Sequence, residues 1–287
     1  MSKRADDVRV PDAAGASGAG QPVEAVLLDV DGTLIDSNDA HAQAWSDVFK
    51  EAGLEIGSEV VLPLVGMGSD KLLPQLTGLD AESEEGKRLI ERRTDVFAKE
   101  YLPSIRPFPG ALELLDRMRA DGLKLVVASS ASAEELRGLL HALGAEWLLD
   151  DATSSSDAER SKPDPDIVRA AVDAAGAGPA RSVMLGDTPY DVAAATRAGV
   201  RVVALRCGGW GDEDLRGALE IHDDPKALLD GYGASVFGRG ARAADEDVGD
   251  ALRTGRSRDA GGRRGGGGEL SGGKPGDGED ISHVDGA

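Results

Sequence analysis

The sequence predicts an α/β fold, a doubly wound parallel sheet interrupted by an all-helical insertion, and three observations carry that prediction. Short apolar runs alternate with helical periodicity along most of the chain, the pattern of a parallel sheet with helices on both faces. One stretch, 37–104, breaks the alternation and reads as helices only. Polar clusters rich in Asp and Ser stand just past three proposed strands, the edge at which open parallel sheets bind ligands.

Taken in order, residues 1–21 open the chain without any apolar period; their small-residue run 12–20 (DAAGASGAG) predicts disorder. Residues 23–30 (VEAVLLDV) form the first buried strand, by length and β-branched content. Helical spacing then covers 41–52, 69–76 and 82–101, and the Pro-rich stretch 103–110 (PSIRPFPG) ends it. After that break, helix periodicity fits 111–120, 133–143, 165–175, 191–198 and 225–229. Strands are expected at 123–129 (LKLVVAS), 182–185 (SVML) and 200–205 (VRVVAL), with a weaker one at 147–152. The organisation that follows is a Rossmann-like core from 22–36 and 105–235, with a four-helix-type cap at 37–104. Residues 238–287 hold 15 of the chain's 39 glycines, and 236–287 is expected to be a disordered tail.

Charge narrows the partners. The net charge is −20, and the two ragged ends account for only 0 and −2 of it, so −18 falls on residues 22–235. A surface that negative repels phosphate backbones and anionic lipid, which argues against nucleic-acid and membrane partners. No apolar run approaches the ~20 residues of a membrane span. The first residues lack a secretory pattern, so a soluble cytoplasmic protein is expected, and a monomer in the absence of any association signal. Cys207 is the only cysteine, which excludes an internal disulfide or a Cys-rich zinc site.

Four clusters could carry chemistry. The first is Asp29-Val30-Asp31-Gly32-Thr33-Leu34, closing the first strand. Two carboxylates two residues apart cannot both enter a core at tolerable cost, and Gly32 allows a sharp turn after them. The second is Ser129-Ser130. The third is Ser161-Lys162-Pro163-Asp164-Pro165, where Asp164 is expected to cap a helix that begins at Pro165, leaving Lys162 free to point at the carboxylates. The fourth is Gly186-Asp187-Thr188-Pro189-Tyr190-Asp191. Singly these read as ordinary turns and caps. Together, in this order and with three of them at strand ends, they form a set that chance alone rarely produces.

The set resembles the haloacid-dehalogenase superfamily of phosphotransferases, in the branch whose helical cap follows the first strand and which includes phosphoglycolate phosphatases and β-phosphoglucomutases. The resemblance spans about 22–235. It implies Asp29 as a nucleophile that forms an aspartyl-phosphate, and Asp31 as the acid and base for leaving group and water. It implies Mg²⁺ held by Asp29, the Asp31 carbonyl and Asp187 with support from Asp191. Ser129 and amides near Val30 and Ser130 would hold phosphoryl oxygens, with Thr33 beside them, and Lys162 would offset the clustered negative charge. In the cap, His41 and Trp45 lie one helical turn apart, and Gly68 with Lys71 falls in a segment resembling the family's substrate loop. Two departures from the mutases, Ser69 in place of an arginine and Gly186 in place of a glutamate, imply hydrolysis of a small phosphomonoester such as a sugar phosphate or phosphoglycolate. A mutase in which Lys71 replaces the missing arginine is the alternative. A non-catalytic binding protein would be expected to have lost an acid or base of the four motifs, and none is missing.

Overall fold

A computed structural model of the chain describes residues 21–238. Expectations about 1–20 and 239–287, including disorder, lie outside these residues. Six strands form one parallel sheet: β1 (Ala25–Leu28), β2 (Lys124–Ala128), β3 (Asp151–Thr153), β4 (Ser182–Gly186), β5 (Arg201–Leu205) and β6 (Glu220–His222). Their order across the sheet is β3-β2-β1-β4-β5-β6. The chain therefore winds outward from β1 in one direction, returns to the middle at β4, and winds outward in the other. The β1/β4 junction is the switch point at which this topology opens a crevice, and Leu28 pairs with Leu185 across it.

Alternate strand residues serve two apolar layers, as the pleat requires. Val26, Leu28, Leu125, Val127, Val183 and Leu185 join helices α5 (Ala111–Ala120) and α6 (Ala133–Leu143) in one layer. Leu27, Val126, Met184 and Val202 join helices α7 (Asp166–Ala175) and α8 (Pro189–Ala198) in the other. Val, Leu and Ala dominate both layers, so the low aromatic content leaves the sheet covered.

Between β1 and α5 the chain is helical throughout, with α1 (Asn38–Glu51), α2 (Ser58–Val61), α3 (Ser69–Thr77) and α4 (Glu84–Val96). The last of these runs on through a π-helical turn at Phe97–Tyr101. This insertion has its own apolar cluster, centred on Trp45, Phe49, Val61, Leu72 and Leu73. Its entry and exit lie side by side: Asp36 N–H donates to the Arg106 carbonyl (3.1 Å) and Phe108 N–H to the Leu34 carbonyl (2.9 Å).

Three expectations are corrected. The weak strand begins at Asp151, because Glu146–Leu148 turns as a 3₁₀ helix and leaves Trp147 exposed. Helix α7 starts at Asp166 with Pro165 at its cap position, and Asp164 makes no cap; its carboxylate is drawn instead to Lys71, Arg160 and Arg197. Ordered structure also continues past 235. After α9 (Pro225–Asp230), Val236 and Phe237 are buried, and Phe237 stacks near Tyr232 in the core.

Candidate active site

The carboxylates are placed by strand ends. Asp29 follows β1 directly, its N–H donating to the Leu185 carbonyl (2.9 Å), and Asp187 follows β4. Behind Asp29 the chain curls tightly: Leu34 N–H reaches the Val30 carbonyl (2.9 Å) and Gly32 N–H the Ile35 carbonyl (2.8 Å). Gly32 sits at φ +74°, and a Cβ there would collide with Asn38 and Asp187. The turn thus needs glycine both for its backbone and for the neighbouring carboxylate.

Asp191 does two jobs. One of its oxygens accepts from the Thr188 hydroxyl (2.7 Å) and the Thr188 N–H (3.0 Å), closing a capping box at the start of α8. The other faces Lys162 Nζ at 2.8 Å. Lys162, among the largest wholly buried side chains, also donates to Asp29 at 2.5 Å. Burial opposes its charge, but Asp191 and Asp29 outweigh that and raise its pKa above the ordinary lysine value.

Asp29, Asp187 and Asp191 are all buried, with ligand oxygens within 4.8 Å of one another. Burial is the main reason that Asp29 and Asp187 both have raised pKa values, and the neighbouring carboxylates add to it. Lys162 works against this at Asp29, and the hydrogen bonds of Thr33 and Asn38 do so at Asp187. Three acids around one lysine leave negative charge uncompensated in a buried space. A hard divalent cation with oxygen ligands fits that donor set, so the residues suit the expected Mg²⁺.

Asp31 lies apart, facing the cavity. Its Oδ1 accepts from the Ser37 hydroxyl and from His41 Nε2, each at 2.6 Å. Burial alone would raise its pKa; attraction to His41 and the hydrogen bonds of His41 and Ser37, helped by Arg93, reverse that and lower it. On the far side of the imidazole, His41 Nδ1 meets an Arg93 amine. A guanidinium only donates, so in the neutral ring Nδ1 is the acceptor and Nε2 carries the proton toward Asp31. Arg93 in turn is gripped by both oxygens of Glu135 (2.7 and 2.6 Å). The His41 ring stacks on Phe97 with centroids 4.0 Å apart.

The predicted residues divide clearly. Asp29, Asp31, Ser129, Ser130, His41, Trp45 and Gly68 line one cavity of about 370 Å³ between sheet edge and insertion. The buried Ser130 hydroxyl has no hydrogen-bond partner. Lys162, Asp187 and Asp191 support its floor. Thr33 faces the carboxylates, donating to Asp187 (2.7 Å) and sharing its proton with Asp29 (3.1 Å), so it orients them from beneath. Gly68 is close to the core rather than held open: its N–H donates to the Ser161 hydroxyl (3.1 Å), and a Cβ would strike Ser161 and Asp70. Lys71 turns outward, donating to the Ser161 carbonyl (2.8 Å) and pairing with Asp164. Sequence reasoning missed Asn38, which donates to Asp187 (3.1 Å), and the Arg93–Glu135 pair. Asn38 carried a signal, being the first helical residue after a carboxylate-rich turn. Arg93 and Glu135, 42 residues apart in different helices, carried none.

Comparison with known proteins agrees with this fold. A family model described as haloacid dehalogenase-like hydrolase matches residues 26–205. The phosphoglycolate phosphatase of Rhodospirillum rubrum is 32% identical over 220 residues, covering 73% of this chain and 91% of that protein. Protein SUPPRESSOR OF QUENCHING 1, chloroplastic, from Arabidopsis thaliana is 37% identical over 191 residues, or 64% of this chain, but this match spans only 18% of that longer protein. Among solved structures, a hydrolase from Pseudomonas syringae superposes with a TM-score of 0.69 at 28% identity, over 74% of this chain and 98% of that one. Among the described residues no helix is long and apolar enough to cross a membrane.

Proposed function

The chain belongs to the haloacid dehalogenase-like hydrolases, and from that premise we propose that it is a Mg²⁺-dependent phosphatase that hydrolyses a small phosphomonoester through an aspartyl-phosphate on Asp29. The observation that carries the proposal is the convergence of Asp29, Asp187, Asp191 and Lys162 in one buried cluster beneath a cavity that Asp31 faces. The phosphatase class is supported by the similarity to the Rhodospirillum rubrum enzyme over most of its length.

Asp29, the Asp31 carbonyl and Asp187, with Asp191 behind them, would hold the Mg²⁺, which supplies charge neutralisation between two anions. Lys162 favours the ionised form of Asp29 against the effect of burial, and Ser129 with the unpartnered Ser130 hydroxyl offers donors to phosphoryl oxygens. Asp29 attacks phosphorus as the bond to the alcohol oxygen breaks, and Asp31 gives that oxygen its proton. Water then attacks the acyl phosphate, Asp31 takes the water's proton, and free phosphate leaves with Asp29 restored. His41 and Ser37 favour the carboxylate form of Asp31. Arrival of a phosphate dianion brings more negative charge and favours its protonation.

The engaged Lys71 supports hydrolysis over mutation, because the cation that a mutase would need for a second phosphate is paired with Asp164. We assign the insertion 37–104 as a cap over a core of 22–36 and 105–235, working in the cytoplasm on a soluble metabolite. Phosphate release across sugar, nucleotide and short-acid monophosphates, with Mg²⁺ and with EDTA, tests the proposal. Release that EDTA abolishes is expected; release indifferent to EDTA, or none from any ester by folded protein, contradicts it.

A further inference from the structure

The charges around the cavity bear on which alcohol leaves. Asp70, Glu82 and Glu159 stand on its walls, and Arg93 is the one cationic side chain among its described lining residues. The charge of Arg93 is already paired: Glu135 accepts two hydrogen bonds from one amine and His41 occupies the other, leaving only the buried Nε–H without a partner. The three nearby lysines are committed as well. Lys71 pairs with Asp164, Lys87 pairs with Glu82 (3.0 Å), and Lys162 lies between Asp29 and Asp191. A second anion on the substrate would therefore lose water against walls of its own sign and gain no unpaired cation. The other polar lining groups, among them Ser69, Thr94, Ser132 and Ser155, are hydroxyls. Hydroxyls both donate and accept, which suits a polyhydroxylated partner.

We infer that the substrate is the monophosphate of an uncharged polyol, such as a simple sugar, and that esters carrying a second anion, a carboxylate or another phosphate, are disfavoured. The inference rests on the phosphatase reading above and runs against a phosphoglycolate specificity.

Three esters separate the possibilities in the Mg²⁺-loaded full chain: p-nitrophenyl phosphate, ribose 5-phosphate and phosphoglycolate. All three bring the same phosphate, so differences report the alcohol. We expect kcat/KM for the sugar ester to exceed that for phosphoglycolate by about tenfold or more at low salt, with the gap narrowing as ionic strength rises. Glu159→Lys, which reverses one wall charge, is expected to raise the phosphoglycolate-to-ribose 5-phosphate ratio of kcat/KM about fivefold. Equal or better turnover of phosphoglycolate, or a ratio unmoved by Glu159→Lys, overturns the inference while leaving the phosphatase reading intact. Failure to release phosphate from all three, p-nitrophenyl phosphate included, overturns both.

Discussion

The sheet edge and the helical insertion face each other across one cavity, and they are built on opposite principles. At the sheet edge charge is buried and fixed. Asp29 and Asp187 are anchored by strand ends, Asp191 by its own capping box, and Lys162 lies wholly buried between Asp29 and Asp191. On the insertion side Asp70 and Glu82 are exposed, and several side-chain bridges reach the core, among them Gly68 to Ser161, Lys71 to Asp164, Arg93 to Glu135, and the Tyr190 hydroxyl to the Pro63 carbonyl (2.6 Å). Reaction chemistry needs atoms held to fractions of an ångström. Admission of a substrate needs surfaces that part and close again. The strands carry the first here, and under the phosphatase proposal the helices would carry the second.

Substitutions can break this contrast, and those at the sheet edge should cost most. Asp29→Asn keeps the shape and removes the nucleophile; turnover is expected below about 1% of the parent by steady-state phosphate release, with an unchanged circular dichroism spectrum. Asp187→Asn should remove most Mg²⁺-dependent activity, at least about a hundredfold. It should also raise the melting temperature of the metal-free protein by a few degrees, because one of three crowded carboxylates is gone. A lower metal-free melting temperature would contradict the repulsion inferred from their raised pKa values.

At the bridge between the two regions the effects should be intermediate. Glu135→Gln leaves Arg93 buried without its counter-charge and should cost about 3 kcal/mol in denaturant unfolding. His41→Ala removes a group that holds Asp31 low. The Asp31 pKa then rises, so the acid limb of the kcat–pH profile, set by Asp31 acting as base, should move to higher pH while kcat falls about tenfold. The smallest effect belongs to Lys71→Ala. Its pair with Asp164 is about a quarter exposed on each side, so the loss should stay near or below about 1 kcal/mol, with kcat within about twofold. Burial would raise the Asp164 pKa, but the hydrogen bond and charge of Lys71, with Arg160 and Arg197, lower it. The pair's contribution is therefore complete above the unfolded carboxylate value of about 4 and fades as pH falls through the folded one.

The same contrast governs what could be read from the sequence. The core strands announced themselves by unbroken apolar runs, and Asp29, Ser129, Lys162 and Asp187 by their places just beyond or between them. Helices α5 and α6 match their periodicity to the residue. Strand β6 did not: it has three half-buried residues, Glu220–His222, and no apolar run. The burial of Phe237 was hidden because one aromatic before a Gly-rich stretch has no period. In the insertion, residue type misled where partner choice decides. Lys71 read as available to an anionic group and Asp164 as a helix cap, and the structure pairs the two with each other. Arg93 and Glu135 could not be paired without knowing that the fold brings this residue of α4 to the first turn of α6.

The central claim is that the sheet-edge cluster transfers phosphate through Asp29. Acid-quenched single turnover with Mg²⁺ and radiolabelled p-nitrophenyl phosphate tests it most directly. The account predicts hydroxylamine-sensitive label on the wild-type chain within the first turnover, and none on Asp29→Asn. Label persisting on Asp29→Asn, or phosphate released by the wild type with no covalent label at any time, would contradict it.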